Sequence, residues 1–274
     1  MAGLAIDVCL AICRLKTTFV DDTGYVRSGI ATGIWVISKE KKILVTNKHS
    51  LDLSMKYRSN TCKLIKTEIE LRKKEDNNFS SETRFFEVLN PSYIFGTNID
   101  LALIVNPVFE HSEKFEHLSL NLSEWEVDAD FFRLNCRLGA DISFVGFPMN
   151  FFDEKWTFPI GRHAIIASVA EIGFSHKDIL TEDVLLASGL SFEGGSGSPV
   201  FSSARGLRIQ ANQGFAETSD YCPQKLIGIM TGHLQVNPGI EAIERKEEAF
   251  MRHSGLSYFT KITALRKLLN ENGL

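Results

Sequence analysis

The chain lacks the patterns that define disulfide-bonded, zinc-binding and membrane-spanning proteins. Its five cysteines are scattered, form no Cys-x-x-Cys pair and stand in no cluster with histidine (Cys9, Cys13, Cys62, Cys136, Cys222). This usage is typical of a reducing compartment and indicates no structural zinc. The apolar stretch 4–15 is interrupted by Asp7 and Arg14 and follows no basic segment, so it predicts neither a signal peptide nor a membrane span. We therefore expect a cytoplasmic protein with no metal or other cofactor.

The chain also lacks an excess of positive charge. Its 30 Lys and Arg residues against 34 Asp and Glu residues give a net charge of −4 at pH 7. Such a balance provides no general attraction to nucleic acids or anionic membranes, so neither is expected as a partner. With 44% hydrophobic and 23% charged residues, the chain of 274 residues has a globular composition. It is long enough for one large β domain or two smaller ones.

Long helical periodicity is scarce, and short apolar runs rich in Val, Ile and Phe dominate. These runs predict strands at 30–38, 42–46, 67–71, 84–88, 101–105, 142–146, 163–169, 184–187, 200–202, 226–230 and 257–260. Regular short strands separated by turn residues are typical of a β-sandwich or β-barrel. One helix is predicted at the C-terminus, where four apolar side chains share a face (Ile262, Leu265, Leu268, Leu269).

Other segments carry weaker signals. The first fifteen residues fit either a helix or a strand. The polar segments 72–83 and 203–224 predict surface loops, and the charged segment 237–253 predicts a loop or a short solvated helix.

The most informative segment is 194–199, which reads Gly-Gly-Ser-Gly-Ser-Pro before an apolar strand. Missing side chains permit positive φ angles and let a carbonyl group approach main-chain N–H groups, which suits a serine nucleophile. Taken alone, the segment fits an ordinary loop equally well. A serine nucleophile also needs a base and a carboxylate. His49 at the end of one predicted strand and Asp100 at the start of another fit these roles, although singly they read as a surface histidine and a strand cap.

Together these motifs resemble the trypsin-like (chymotrypsin-fold) serine peptidases, in particular their bacterial intracellular or heat-shock type branch. The matching segments are 31–34, 44–49, 100–104, 145–148, 159–162, 165–168, 194–199, 227–232 and 254–258. They place His, Asp and Ser in the chain order of that family, and the resemblance covers about residues 25–265. It implies an all-β fold of two packed six-stranded antiparallel β-barrels with a C-terminal helix. Residues 1–125 would carry His49 and Asp100, and residues 126–274 would carry Ser196.

The resemblance also implies roles for these residues in a serine endopeptidase. Ser196 would attack the scissile carbonyl, His49 would transfer the proton, and Asp100 would orient His49. The N–H groups of Gly194 and Ser196 would form the oxyanion hole. The chain departs from the digestive enzymes at Gly195, where those enzymes carry an aspartate that pairs with a freshly cleaved N-terminus. Activation by N-terminal cleavage is therefore not expected.

Substrate preference is less strongly indicated. By position relative to Ser196, Leu190 should lie at the base of the primary pocket with Ser191 beside it, and Thr231, Gly232 and His233 should border the cleft. Because Leu190 is uncharged, we expect an apolar or small residue before the cut and not Lys or Arg. A His233 contact to an acidic or polar residue, and a His233 that touches no substrate, both stay open.

Two classes of function follow from these patterns. The first is an active endopeptidase that acts on proteins or peptides. The second is a non-catalytic or latent module of the same fold that binds peptides or partner proteins. A regulatory protein or a second copy of the chain is a further candidate partner.

Overall fold

A computed structural model describes residues 6–53, 62–74, 80–125, 127–176, 179–206, 208–211, 214–218, 220–236 and 252–274. Strands account for 47% and helices for 15%, so the prediction of a mostly β protein is confirmed. No helix within these ranges is long and apolar enough to cross a membrane. Most of the predicted charged segment 237–253 lies outside the described residues.

The N-terminal half forms a nine-stranded sheet with the order β5-β4-β1-β2-β3-β7-β6, while β8 pairs with β4 and β9 with β2. Its elements are α1 (Ile6–Leu10), β1 (Ile12–Val20), β2 (Val26–Ser38), β3 (Lys41–Thr46), β4 (Lys63–Lys73), β5 (Thr83–Glu87), β6 (Tyr93–Phe95), β7 (Ala102–Val105), β8 (Phe115–Glu116) and β9 (Leu120–Asn121). The N-terminal segment, which fitted either a helix or a strand, contains both: the short helix α1 and the start of β1. The alternating buried residues of β1, among them Leu15, Thr17 and Phe19, are typical of a strand with one face in a core.

The C-terminal half is built on a closed antiparallel barrel with the strand order β10-β11-β14-β19-β18-β15. Its elements are α2 (Leu122–Trp125), α3 (Ala129–Asn135), β10 (Asp141–Gly146), β11 (Ile160–Ile166), β12 (Phe174–His176), β13 (Ile179–Thr181), β14 (Val184–Ser188), β15 (Pro199–Ser202), β16 (Arg208–Ala211), β17 (Gly214–Glu217), β18 (Leu226–Val236), β19 (Arg252–Lys261) and α4 (Ile262–Glu271). The helix α4 lies where the sequence predicted it, and its four apolar residues are buried.

One loop prediction is corrected. The segment 203–224 contains the hairpin β16–β17, which pairs Arg208–Ala211 with Gly214–Glu217. Each strand is only four residues long, and the two pair with each other. Neither contains the apolar run by which the other strands were predicted.

The two faces of β2 are buried in two different cores, one of which is shared by the two halves. Ala31 and Trp35 pack in a core of the N-terminal sheet, whereas Ile34 and Val36 pack in a second core together with barrel residues. A strand buried on both faces reads as a continuous apolar run, which is how β2 appears in the sequence. This arrangement places β2 directly beside the barrel and positions the site described next.

Candidate active site

His49 and Asp100 are adjacent because β3 and β7 pair with each other. The two strands run antiparallel, and Thr46 at the end of β3 is opposite Ala102 at the start of β7. Beyond Thr46, Nδ2 of Asn47 donates to the backbone oxygen of Asp100 at 2.8 Å. The chain then makes a short 3-10 turn that contains His49. Two residues that are distant in sequence are thereby held together where the paired strands β3 and β7 end and begin.

The Asp100 carboxylate contacts His49 through both of its oxygens. His49 Nδ1 lies 2.5 Å from Asp100 Oδ2, and the backbone N–H of His49 donates to Oδ1 at 2.9 Å. The two side chains are 23% and 16% exposed, so the pair is partly shielded but still reachable. A carboxylate at Nδ1 favours the tautomer with its proton on Nδ1, which leaves Nε2 as a proton acceptor.

The segment 194–199, here called the serine turn, lies against β2. Gly194 and Gly197 have φ angles of 81° and 87°, in the left-handed region that favours glycine. A Cβ on Gly197 would overlap the backbone oxygen of Thr32. The backbone N–H of Thr32 donates to Ser196 O at 2.9 Å, and Thr32 Oγ1 donates to Gly194 O at 2.8 Å. Glycine is therefore required where the turn meets β2.

Thr32 also joins the serine turn to the strand that precedes His49. Thr46 Oγ1, at the end of β3, donates to Thr32 O at 2.8 Å. Ser196 is half-buried, and its Oγ donates a long hydrogen bond to Thr231 O at 3.5 Å. Among the hydrogen bonds of the described residues, none joins Ser196 to His49. The structure thus brings His49 and Asp100 into contact and docks Ser196 on the neighbouring strand, without a direct bond between Ser196 and His49.

Two N–H groups of the serine turn have no acceptor within the described part of the chain, those of Gly194 and Ser196. The intervening Gly195 N–H donates to Phe192 O at 3.0 Å. The oxygen of Glu193 accepts from the N–H of Met149 at 2.5 Å. Because C=O and N–H point in opposite directions across a trans peptide, the Gly194 N–H faces away from Met149. These two donors can bind an oxyanion.

Sequence reasoning missed the residues that support the serine turn from outside. Thr32 lies in a segment that matched the family pattern, but its hydroxyl gave no signal of a contact to Gly194. Met149 and Asn150 have positive φ angles of 50° and 60° without being glycine. Arg14 Nη1 donates to Asn150 Oδ1 at 3.2 Å and so connects this segment to β1. No sequence pattern could reveal a contact that spans so much of the chain.

The residues predicted to line the primary pocket and its cleft differ in their burial. Ser191 is buried, with its Oγ donating to Gly232 O at 3.3 Å and lying 2.9 Å from Ser257 Oγ. Leu190 exposes 50% of its side chain. Thr231 is buried, and its Oγ1 lies 3.0 Å from Thr260 Oγ1 of the neighbouring strand β19.

Tyr258 lies beside Gly232, one of the residues predicted to border the cleft. It is paired with Gly232 across β18 and β19, and a Cβ on Gly232 would meet its Oη at 2.8 Å. Burial, and secondarily the charge of Asp100, raises the pKa of Tyr258. Tyr258 therefore remains a neutral phenol that occupies space beside Gly232. His233, which follows on β18, is half-buried.

No group of three or more His, Cys, Asp or Glu residues suited to a metal ion occurs in the part of the chain that the structure describes. No protein-family model matches the chain, and no curated protein is similar to it. The function is therefore inferred from the site itself.

Proposed function

We propose that the protein is a serine endopeptidase of the trypsin-like type, with Ser196 as nucleophile, His49 as general base and acid, and Asp100 as the carboxylate that orients His49. The observation that supports this most is the two-point contact of Asp100 with His49, at 2.5 Å to the ring and 2.9 Å to the backbone N–H. A carboxylate bound in this way both fixes the ring and stabilises the imidazolium that forms during proton transfer.

The reaction would proceed through an acyl-enzyme. As Ser196 Oγ bonds to the substrate carbonyl carbon, its proton passes to His49 Nε2, and the carbonyl oxygen becomes an oxyanion. The N–H groups of Gly194 and Ser196 stabilise that charge. His49 then gives its proton to the departing amine as the peptide bond breaks. Water, deprotonated by His49, hydrolyses the ester and releases Ser196. For the first step, Ser196 Oγ must exchange its long bond to Thr231 O for one to His49.

The same proposal includes a two-barrel architecture, with the N-terminal sheet as the first barrel. Its support is that both faces of β2 are buried, one in a core internal to the sheet and one in the core shared with the C-terminal barrel. A strand that faces an enclosed core on one side and a second barrel on the other has this burial pattern.

Substrates of this peptidase would be proteins or peptides with an apolar or small residue before the cut. The support is that Leu190, Ser191 and Gly232 offer no charge to a basic side chain, while Tyr258 restricts the volume beside Gly232. A cytoplasmic location is part of the proposal, because all five cysteines are free thiols.

A fluorophosphonate probe tests this function, because it labels a serine only when the base and the oxyanion donors activate it. We expect labelling of the wild type at Ser196, complete loss in Ser196→Ala and strong reduction in His49→Ala. Ser198→Ala is the matched control within the same turn. The Ser198 hydroxyl is buried without a hydrogen-bond partner, so its removal should leave labelling unchanged.

The second candidate function is a latent or non-catalytic module that binds peptides or a partner protein. It is favoured by the missing hydrogen bond between Ser196 and His49 among the described residues. Folded wild-type protein that resists the probe would support this candidate and contradict the peptidase. Competent hydrogen bonds in peptidases often tighten only when substrate binds, and for that reason we place the active enzyme first.

A further inference from the structure

Arg162 lies behind the serine turn, on the barrel strand β11. It is paired with Phe144 of β10. Its guanidinium carbon lies 4.7 Å from the centre of the Phe144 ring and 5.4 Å from that of Phe192. Its Nη1 donates to Leu190 O at 2.9 Å. The guanidinium therefore contacts both ends of the short segment 190–192 that leads into the turn.

The opposite edge of the guanidinium faces Gly195. A Cβ on Gly195 would lie 3.1 Å from Arg162 Nη2 and 3.0 Å from the oxygen of Phe192, closer than ordinary contacts allow. Arg162 thus occupies the space into which any side chain at position 195 would project. Gly195 is the position at which this chain departs from the digestive enzymes. Those enzymes carry an aspartate at this position, and it pairs with a cleaved N-terminus.

Arg162 is held there against an electrostatic cost. Its Nε and Nη2 are buried without a hydrogen-bond partner, and no carboxylate among the described residues forms an ion pair with it. Burial lowers the pKa of Arg162 to about 10. Buried guanidinium nitrogens without a partner are destabilising, so their retention calls for an explanation. The aromatic faces of Phe144 and Phe192 offset part of that cost.

We infer that Arg162 is the positioning residue of the oxyanion donors: by stacking on Phe192 and binding Leu190 O, it fixes the segment 190–195 so that the Gly194 and Ser196 N–H groups face the substrate. The inference deepens the proposed function and rests on it. The inference also explains why the site would need no activation step. A cation supplied by the chain's own barrel replaces an acid–N-terminus pair, so the donors are in place without proteolytic activation.

The test compares Arg162→Met with Arg72→Met. Met keeps much of the aliphatic length of Arg but removes the guanidinium. Arg72 is a matched control because burial also lowers its pKa, its guanidinium stacks on Phe158 at 5.2 Å, and it donates to the oxygen of Ser80. Comparison of thermal midpoints between the two variants separates loss of stability from loss of positioning.

Arg162→Met should slow fluorophosphonate labelling and lower kcat about 100-fold, the size of effect seen when one oxyanion donor is lost. KM should change less than about threefold, since ground-state binding does not use these donors. Arg72→Met should label at the wild-type rate once the folded fraction is equal. Wild-type kinetics in Arg162→Met, or equal losses in both variants, would overturn the inference.

Gly195→Ala provides a second variant that acts on the same contact from the other side. Its methyl group presses on Arg162 Nη2, so it should slow labelling in the wild-type background and slow it less in Arg162→Met. Equal effects in both backgrounds would mean that Arg162 and position 195 are not coupled, which contradicts the inference.

Hydrogen–deuterium exchange keeps the inference testable even if the protein is not a peptidase. In Arg162→Met the amides of residues 192–196, including the Gly195 N–H bonded to Phe192 O, should exchange faster than in the wild type and in Arg72→Met. An inactive wild type with this exchange pattern refutes the peptidase but retains the positioning role. An unchanged exchange pattern refutes the positioning role whatever the activity.

Discussion

The two sides of the site differ in how completely their polar groups are paired. On the N-terminal side, both oxygens of Asp100 contact His49, and the Asp100 carbonyl accepts from Asn47, whose own Oδ1 is buried without a partner. On the C-terminal side, the serine turn retains two N–H groups without an acceptor among the described residues and is supported by an unpaired Arg162. Paired groups stabilise the folded state, whereas open donors are free to bind a ligand.

This difference indicates where binding energy can be used for catalysis. An oxyanion that appears only in the transition state meets donors that need no reorganisation, which is the condition for electrostatic catalysis. The positive φ angle of Met149, which is not a glycine, adds local strain on the same side. In the proposed peptidase, His49 and Asp100 would form the more completely hydrogen-bonded side of the site, and the serine turn would be the side that binds the oxyanion.

The largest expected effect comes from weakening the contact of Asp100 with His49 on the N-terminal side. Asp100→Asn should lower kcat about 10⁴-fold, because an amide cannot stabilise the imidazolium and favours the wrong tautomer of His49. Measured kcat on a peptide substrate tests this, with the circular dichroism spectrum as a control for folding. Activity within tenfold of the wild type in a folded variant would show that Asp100 does not orient a catalytic base.

A smaller effect is expected at the junction of the two sides. Thr32→Val keeps the volume of the side chain but removes the hydroxyl that donates to Gly194 O and accepts from the Phe147 N–H at 3.1 Å. The free energy of unfolding should fall by about 1–3 kcal/mol, because buried groups lose their partners. Labelling should slow by about tenfold, since the backbone bond from Thr32 to Ser196 O remains.

Thr46→Val is the matched comparison for this junction. Thr46 donates to the same carbonyl, Thr32 O, and its Oγ1 lies beside Gly197, but it forms no hydrogen bond with the serine turn among the described residues. It should lower stability without slowing the labelling of the folded protein. Equal kinetic losses in the two variants would mean that the junction acts only through stability.

The N-terminal side of the site, with His49 and Asp100, was more predictable from the sequence than the residues that surround the serine turn. His49 and Asp100 lie at strand ends that apolar runs reveal, and antiparallel pairing of those strands brings them together. The helix α4 also follows from periodicity, whereas β1 begins in a segment whose pattern fits a helix or a strand equally. The contacts of Arg162 and Thr32 join segments far apart in the chain, and no local pattern encodes such contacts. The strand order of the N-terminal sheet likewise depends on long-range pairing that strand patterns do not specify.

The smallest expected effect on labelling lies away from the serine turn, in the N-terminal sheet. His117 stacks on buried Trp35 with ring centres 3.5 Å apart, and burial, aided by Lys42, lowers its pKa from 6.5 to about 3. Its neutral form is thus favoured in the folded state. Because the unfolded chain binds the proton more tightly between these pKa values, stability is complete above pH 6.5 and decreases as pH falls toward 3.

One such proton gives a slope of at most about 1.4 kcal/mol per pH unit. Chemical denaturation at several pH values should therefore give a steeper loss of stability below pH 6.5 in the wild type than in His117→Phe, which retains a ring against Trp35. The labelling rate of the folded fraction should not differ between the two, because this stack contacts no residue of the site. A His117→Phe variant with the wild-type slope would assign the acid sensitivity to other groups. A His117→Phe variant that labelled more slowly would show that His49 and Asp100 depend on the N-terminal sheet more than their hydrogen bonds indicate.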